Sequence, residues 1–227
     1  MIKNKKKLTQ EKAFRLGTDY QFIDSIPLGP WTSYSLLHDP IHTSFVLARY
    51  KFVARLLTGK KKVLEIGCGD APGTPIVAQF VEKVFAIDVD DRLIDSNKKR
   101  LSKIKNIEFR KMNICEESPG RDFDAAFLVD VIEHLDKHLN AVFMKNTCRC
   151  LTKQGICIVG TPNITANRYA SERSRVQHIN LFSFEKLRKH LSFYFHNIFM
   201  FSMNDEVVHT GFGPMAHYLF GVGVGVK

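Results

Sequence analysis

Apolar positions change their period along this chain, and the change locates its elements. Over residues 41–57, Phe45, Val46, Tyr50, Val53 and Leu57 recur at helical spacing, and Thr58-Gly59 closes the run. From residue 62, short apolar runs alternate with amphipathic ones. Strands are expected at 63–66, 83–88, 106–111, 123–129 and 156–159, and helices at 74–80, 91–104 and 139–151. Such alternation predicts an α/β fold, a doubly wound, mostly parallel sheet with helices on both faces. The last third differs. Residues 161–181 read as a long polar and basic loop, 184–191 as a short helix, and 193–202 and 218–226 as β-rich segments. These two would form an antiparallel hairpin at the C-terminal edge, giving seven strands. The glycines of Gly221-Val-Gly-Val-Gly-Val226 make the last strand weak.

Residues 18–40 are rich in Pro, Gly and turn formers, so the chain divides into an N-terminal segment, 1–40, and a domain, 41–227. The length of 227 residues is enough for one α/β domain, and 44% hydrophobic with 25% charged residues is ordinary for a soluble protein. No apolar run approaches the roughly 20 residues of a membrane-spanning helix. The lysine-rich start has no apolar stretch behind it, so it does not read as a secretory signal, and a cytoplasmic location is expected. Five cysteines without CxxC spacing predict free thiols, and no metal site is expected. Cys148 and Cys150 are expected on different faces of their helix. The net charge of +10 attracts anionic partners or simply solvates the surface; part of it lies in the basic run at residues 3–7, which reads as a mobile tail.

The unusual residues fall at the carboxyl ends of the strands, where open α/β sheets bind ligands. Gly67 and Gly69 follow the first strand directly and permit a tight turn against a ligand. Asp88 ends the second strand, suited to accept hydrogen bonds from ribose hydroxyls. Two cofactor classes share this geometry. Dinucleotide binding wants a third glycine at position 72, which holds Pro72, and it leaves Glu65 unexplained. S-Adenosylmethionine (SAM) has no pyrophosphate to cradle, and a carboxylate at the end of the first strand suits its cationic methionyl portion.

The run Val63-Leu64-Glu65-Ile66-Gly67-Cys68-Gly69 resembles motif I of class I, Rossmann-like SAM-dependent methyltransferases. Ile87-Asp88-Val89 is similar to the acidic end of their second strand. Phe123-Asp124 through Val129-Asp130-Val131-Ile132-Glu133-His134-Leu135 resembles the fourth-strand motif of the branch containing ubiquinone-biosynthesis O-methyltransferases, and residues 155–163 the fifth strand and its loop. The resemblance covers about residues 45–195. It implies that Gly67, Cys68 and Gly69 pass under the methionyl part and ribose, with Glu65 behind them. It also implies that Asp88 holds the ribose, that Val89 flanks the adenine, and that Val129 and Asp130 lie beside the cofactor. Asn113 stands where many relatives use Asp to meet the adenine amino group; its carbonyl can accept the same bond. Arg49 or Tyr50 could reach the cofactor carboxylate or serve in packing.

Methyl transfer is an in-line displacement governed by alignment, and a hydroxyl acceptor benefits from a base. His178, in the loop after the fifth strand, is the candidate base by its resemblance to an acceptor-facing segment. His134 is expected to line the cofactor pocket or act in its place. His209 and His217 are weaker candidates; His38, His42, His138, His190 and His196 read as surface or packing residues. Arg168, Arg173 and Arg175 could meet an anionic acceptor, and Trp31 and Tyr34 belong to the segment that caps the acceptor pocket in relatives. The expected reaction is O-methylation of a small-molecule or glycan-type acceptor. The alternatives are an RNA or protein methyltransferase, favoured by charge, and a catalytically silent SAM-binding partner. Base N-methylation is disfavoured, since no Asp/Asn-Pro-Pro-aromatic loop follows the fourth strand. No Pro-Cys pair suggests cytosine C5 chemistry.

Overall fold

Strand β1 (Lys62–Ile66) carries the sequence Lys-Val-Leu-Glu-Ile, and its last four residues are buried. A continuous buried run of this kind needs cover on both faces and strands on both sides. The structure, a computed structural model, describes residues 9–10 and 25–227; the basic run at residues 3–7 lies outside them. Around β1, the strands β2 (Lys83–Asp88), β3 (Ile107–Lys111), β4 (Phe123–Val129) and β5 (Leu151–Pro162) pair in parallel. Three antiparallel strands complete the sheet: β6 (Phe195–Asn204), β7 (Val207–His209) and β8 (Tyr218–Val226). The order is β3-β2-β1-β4-β5-β8-β6-β7, eight strands against the seven expected; β7 is the addition.

Helices α1 (Pro30–His38), α2 (Pro40–Leu56), α3 (Thr74–Ala78), α4 (Asp91–Arg100), α5 (Asn140–Cys150), α6 (Glu172–Gln177) and α7 (Phe184–Ser192) connect the strands or extend the domain. Local chemistry sets their starts. Pro40 sits in the first turn of α2, and Asp39 accepts the His42 N–H. Asp90, Ser171 and Ser183 cap α4, α6 and α7 in the same manner. Two cores result. One, including Tyr50, Val53, Val63 and Phe127, lies under α2, α3 and α4. The other, including Leu64, Leu128, Phe143 and Leu187, lies under α5 and α7.

Several expectations change. Residues 161–181 are not one loop: they hold the end of β5, a 3₁₀ segment Ile164–Tyr169, and α6. The 193–202 and 218–226 segments are neighbours, but β8 enters between β5 and β6, so the sheet's edge is the β6–β7 pair. The glycines of β8 are a packing device. A Cβ at Gly221 would collide with Leu191 of α7, and one at Gly223 with Phe195. Cys148 and Cys150 both turn inward, because α5 ends against the sheet and the chain enters β5 at once. All five cysteines are free. No helix among the described residues is long and apolar enough to cross a membrane.

Candidate active site

The loop after β1 is held in a shape that glycine makes possible. Gly67 and Gly69 have φ of 75° and 53°, in the left-handed region. A Cβ on Gly67 would stand 2.5 Å from Val131, and one on Gly69 would stand 2.9 Å from the Trp31 ring. The N–H groups of Gly67 and Cys68 donate to the Ile87 carbonyl at 2.8 and 3.1 Å. The Gly69 N–H donates to Asp88 Oδ2 at 2.8 Å, and the Asp90 N–H donates to Asp88 Oδ1 at 3.0 Å. From the other side the buried Asn97 donates its Nδ2 to the Gly69 carbonyl at 2.8 Å. The sequence reading missed Asn97; its only signal is a polar residue on the inward face of α4. Asp70 turns away from the loop's mouth and accepts the Thr32 N–H at 2.7 Å, which fastens α1 over the loop.

A groove of about 660 Å³ opens at these strand ends. Gly67, Gly69, Asp88, Val89, Asn113, Asp130 and His134 all line it. Cys68 and Val129 face a smaller chamber of about 200 Å³ beneath α1 and α2, which Gly67, Gly69 and Asp130 also border. His42, read from sequence as surface or packing, lines that chamber as well. Asn113 is partly spent locally: its Oδ1 accepts the Cys115 N–H at 3.1 Å, and its Nδ2 donates to Glu116 at 2.9 Å.

Glu65 lies behind the loop, buried, with the Tyr50 and Thr74 hydroxyls facing its carboxyl. Burial pushes its pKa up to about 7. A buried carboxyl of this kind suits a site that receives a cation or water-bridged ammonium. Pro72 leaves no room for a dinucleotide glycine, and Gly73 is instead the seat of the Tyr50 ring, which a Cβ there would strike. The glycine loop, the Asp88 carboxylate at the end of β2 and the buried Glu65 suit SAM better than they suit a pyrophosphate.

Asp130 follows β4 with φ of 58°, unusual for a residue other than glycine. Arg49 holds it there: Nη1 donates to Asp130 Oδ2 at 2.7 Å, and the guanidinium lies 4.0 Å from the Tyr218 ring centroid. Burial alone would lower the Arg49 pKa, but Asp130 more than reverses this. Next to it Glu133 is fully buried, with Oε2 accepting the Thr161 hydroxyl at 3.0 Å and Oε1 without a partner. Burial, then the charge of Asp130, raises its pKa well above the carboxylate range.

His134 Nδ1 lies 3.2 Å from the Gln177 carbonyl, and its ring meets that of His178 at a centroid distance of 5.0 Å. His178 is half-buried and lines a second cavity of about 490 Å³, bordered by Asn163, Asn167, Tyr169 and His217. Burial and the neighbouring His134 lower its pKa. His209 is a structural residue: Nδ1 accepts the Gly211 N–H at 2.9 Å, and Nε2 bonds Asn204 at 3.0 Å. Of the loop arginines, Arg173 lines the groove, Arg168 lies over the Tyr169 ring, and Arg175 is exposed. Trp31 borders both the groove and the smaller chamber, while Tyr34 packs at a tilt against His38.

The family model described as a methyltransferase domain matches residues 64–159. Over these residues the chain is similar to methyltransferase domains, and its fold is that of methyltransferases of known structure. A probable SAM-dependent methyltransferase of Mycobacterium tuberculosis (strain CDC 1551 / Oshkosh) is 31% identical over 104 residues, covering 45% of this chain and 36% of the relative. The chain therefore spans about a third of the length of that curated relative. The methyltransferase fold extends past the matched residues. The methyltransferase domain of a bacterial Hen1 superposes with a TM-score of 0.66 at 22% identity, covering 80% of this chain and 99% of that domain. The N-methyltransferase NodS of Bradyrhizobium japonicum WM9, in complex with S-adenosyl-L-homocysteine, gives 0.62 at 18%, covering 85% and 91%.

Proposed function

We propose that this protein transfers the methyl group of SAM to a hydroxyl of a small-molecule or glycan-type acceptor. The observation that carries the reading is the loop Gly67–Gly69 tied to Asp88 at the head of a 660 Å³ groove, with the buried Glu65 behind it. SAM supplies an electrophilic methyl on a sulfonium, which an acceptor lone pair displaces in line. Gly67, Cys68 and Gly69 support the methionyl and ribose portions, and Asp88 accepts the ribose hydroxyls with its remaining lone pairs. Val89 and Asn113 bound the adenine, while Val129 and Asp130 flank the reacting end. Glu65 answers the ammonium from behind the loop. His178 and His134 stand on the acceptor side, where His178 or His134 takes up or directs the acceptor's proton; the enzyme's largest contribution is alignment. The ubiquinone-type branch enters only as the motif resemblance after β4.

Isothermal calorimetry tests the reading. SAM and S-adenosylhomocysteine should bind with one-to-one stoichiometry and NAD should bind far more weakly. Tight NAD binding without SAM binding would overturn it.

A further inference from the structure

Two loops that lie side by side carry Glu133 and His134, after β4, and His178, after α6. One ligand atom from each comes within 4.8 Å of the other two. Glu133 is buried with Oε1 unpartnered, a costly state unless a donor or cation meets it. Arg49, the nearby fixed cation, is committed to Asp130. The contact between His134 Nδ1 and the Gln177 carbonyl, at 3.2 Å, places the ring proton on Nδ1 and leaves Nε2 as a lone pair. Metal-ligating histidines are oriented by this kind of outer hydrogen bond.

We propose that Glu133, His134 and His178 form a binding site for one divalent first-row transition metal ion. Two imidazoles and a carboxylate suit such an ion and leave its other coordination positions open. Ligands about 2.0–2.2 Å from a shared ion stand roughly 3–3.5 Å from one another, so small rotations of the exposed His134 and half-buried His178 close the set. His134 borders the cofactor groove and His178 the second cavity, so the open positions face the ground between them. Resting on the methyltransferase reading, an acceptor hydroxyl that reaches the ion loses its proton more readily. Its oxygen forms the new bond to carbon, the pair of the broken C–S bond stays on sulfur, and the proton leaves to solvent, so with the ion bound His134 and His178 direct the hydroxyl through the ion and do not take its proton. Oxygen acceptors are thereby favoured over nitrogen ones. Cysteine spacing carries no trace of this site, because its ligands come from two loops that are distant in sequence.

Metal-free protein titrated with Co(II) should develop visible d–d bands of nitrogen and oxygen coordination, saturating at one ion per chain, and Mn(II) should compete for the site. His178→Ala and Glu133→Gln should each weaken binding at least tenfold, with SAM affinity within a few-fold of the parent. His178 lies on a surface loop, so its variant remains informative where Glu133→Gln disturbs folding. No saturable binding, or binding undiminished in His178→Ala, overturns the site. SAM titration of the metal-free protein separates the two readings. Loss of SAM binding with ion binding intact removes the hydroxyl step and the function above but leaves the ion site standing. SAM binding without ion binding removes the ion site alone.

Discussion

Gly69 donates its backbone N–H to the Asp88 carboxylate across 2.8 Å. The bond ties the end of β2 to the tip of the loop after β1. Because the other carboxylate oxygen holds the Asp90 N–H at 3.0 Å, Asp88 shapes the groove it lines. Each oxygen keeps a lone pair for a ligand.

Asp88→Ala should therefore lower SAM affinity at least tenfold. Each charge-assisted bond lost is worth about 1.5–3 kcal/mol, and the loop loses its brace as well. Asp88→Asn, which keeps one acceptor oxygen, should recover part of the loss. Calorimetry of the two variants measures both effects, and unchanged affinity in Asp88→Ala would place the ribose elsewhere.

Glu65 makes stability depend on pH. Its folded pKa, about 7, lies above the ordinary 4.5 because of burial. Below 4.5 both folded and unfolded chains hold the proton. Between 4.5 and about 7 only the unfolded chain releases it, so this contribution to stability falls as pH rises and then levels off. The full difference is on the order of 3 kcal/mol. Urea denaturation of ligand-free Glu65→Gln should show it more stable than the parent at pH 8, with the gap narrowing at pH 5. An equal gap at both pH values would mean that Glu65 titrates normally.

Arg49 and Asp130 form a pair whose side chains are 12% and 31% exposed. Arg49→Met should cost about 2 kcal/mol, below the range for a fully buried pair because Asp130 retains water. At this chain length the melting temperature should fall by about 4–8 °C. Arg49→Lys should be intermediate, since lysine keeps the charge without the planar contact on Tyr218. Scanning calorimetry would contradict the assignment if Arg49→Met melted with the parent.

The basic run at residues 3–7 separates a small acceptor from a polymer. If the acceptor is small, deleting the run should leave SAM binding and turnover intact, and RNA binding should be absent or salt-insensitive. An RNA acceptor would show binding that weakens with salt, with a shallower slope after the deletion because fewer counterions are released. Filter binding across a salt series gives the slope.

The expected bounds of three strands, 123–129, 83–88 and 218–226, coincide with those observed. The first is apolar at every position but Asp124, and burial of such a run on both faces needs no knowledge of its neighbours. The loop at Gly67 and Gly69 and the carboxylate of Asp88 were legible too, since a glycine turn and a strand-end acid are features of adjacent residues. Asn97 was hidden, because nothing local distinguishes a helix asparagine that braces a loop from one that faces solvent. The segment 161–181 lacked periodicity, and its α6 depends on the Ser171 cap and on the sheet it lies against.

The sequence by itself determined the alternation of strands and helices, the glycine loop after the first strand and the acid that ends the second, because spacing along the chain encodes these. Only the tertiary structure decided that β8 runs between β5 and β6 with its glycines beneath Leu191 and Phe195. It likewise decided that Arg49 meets Asp130 and that Glu133, His134 and His178 share one small space. Those juxtapositions depend on strand order and on how loops cross the sheet's end, and neither is written in the period of any single segment.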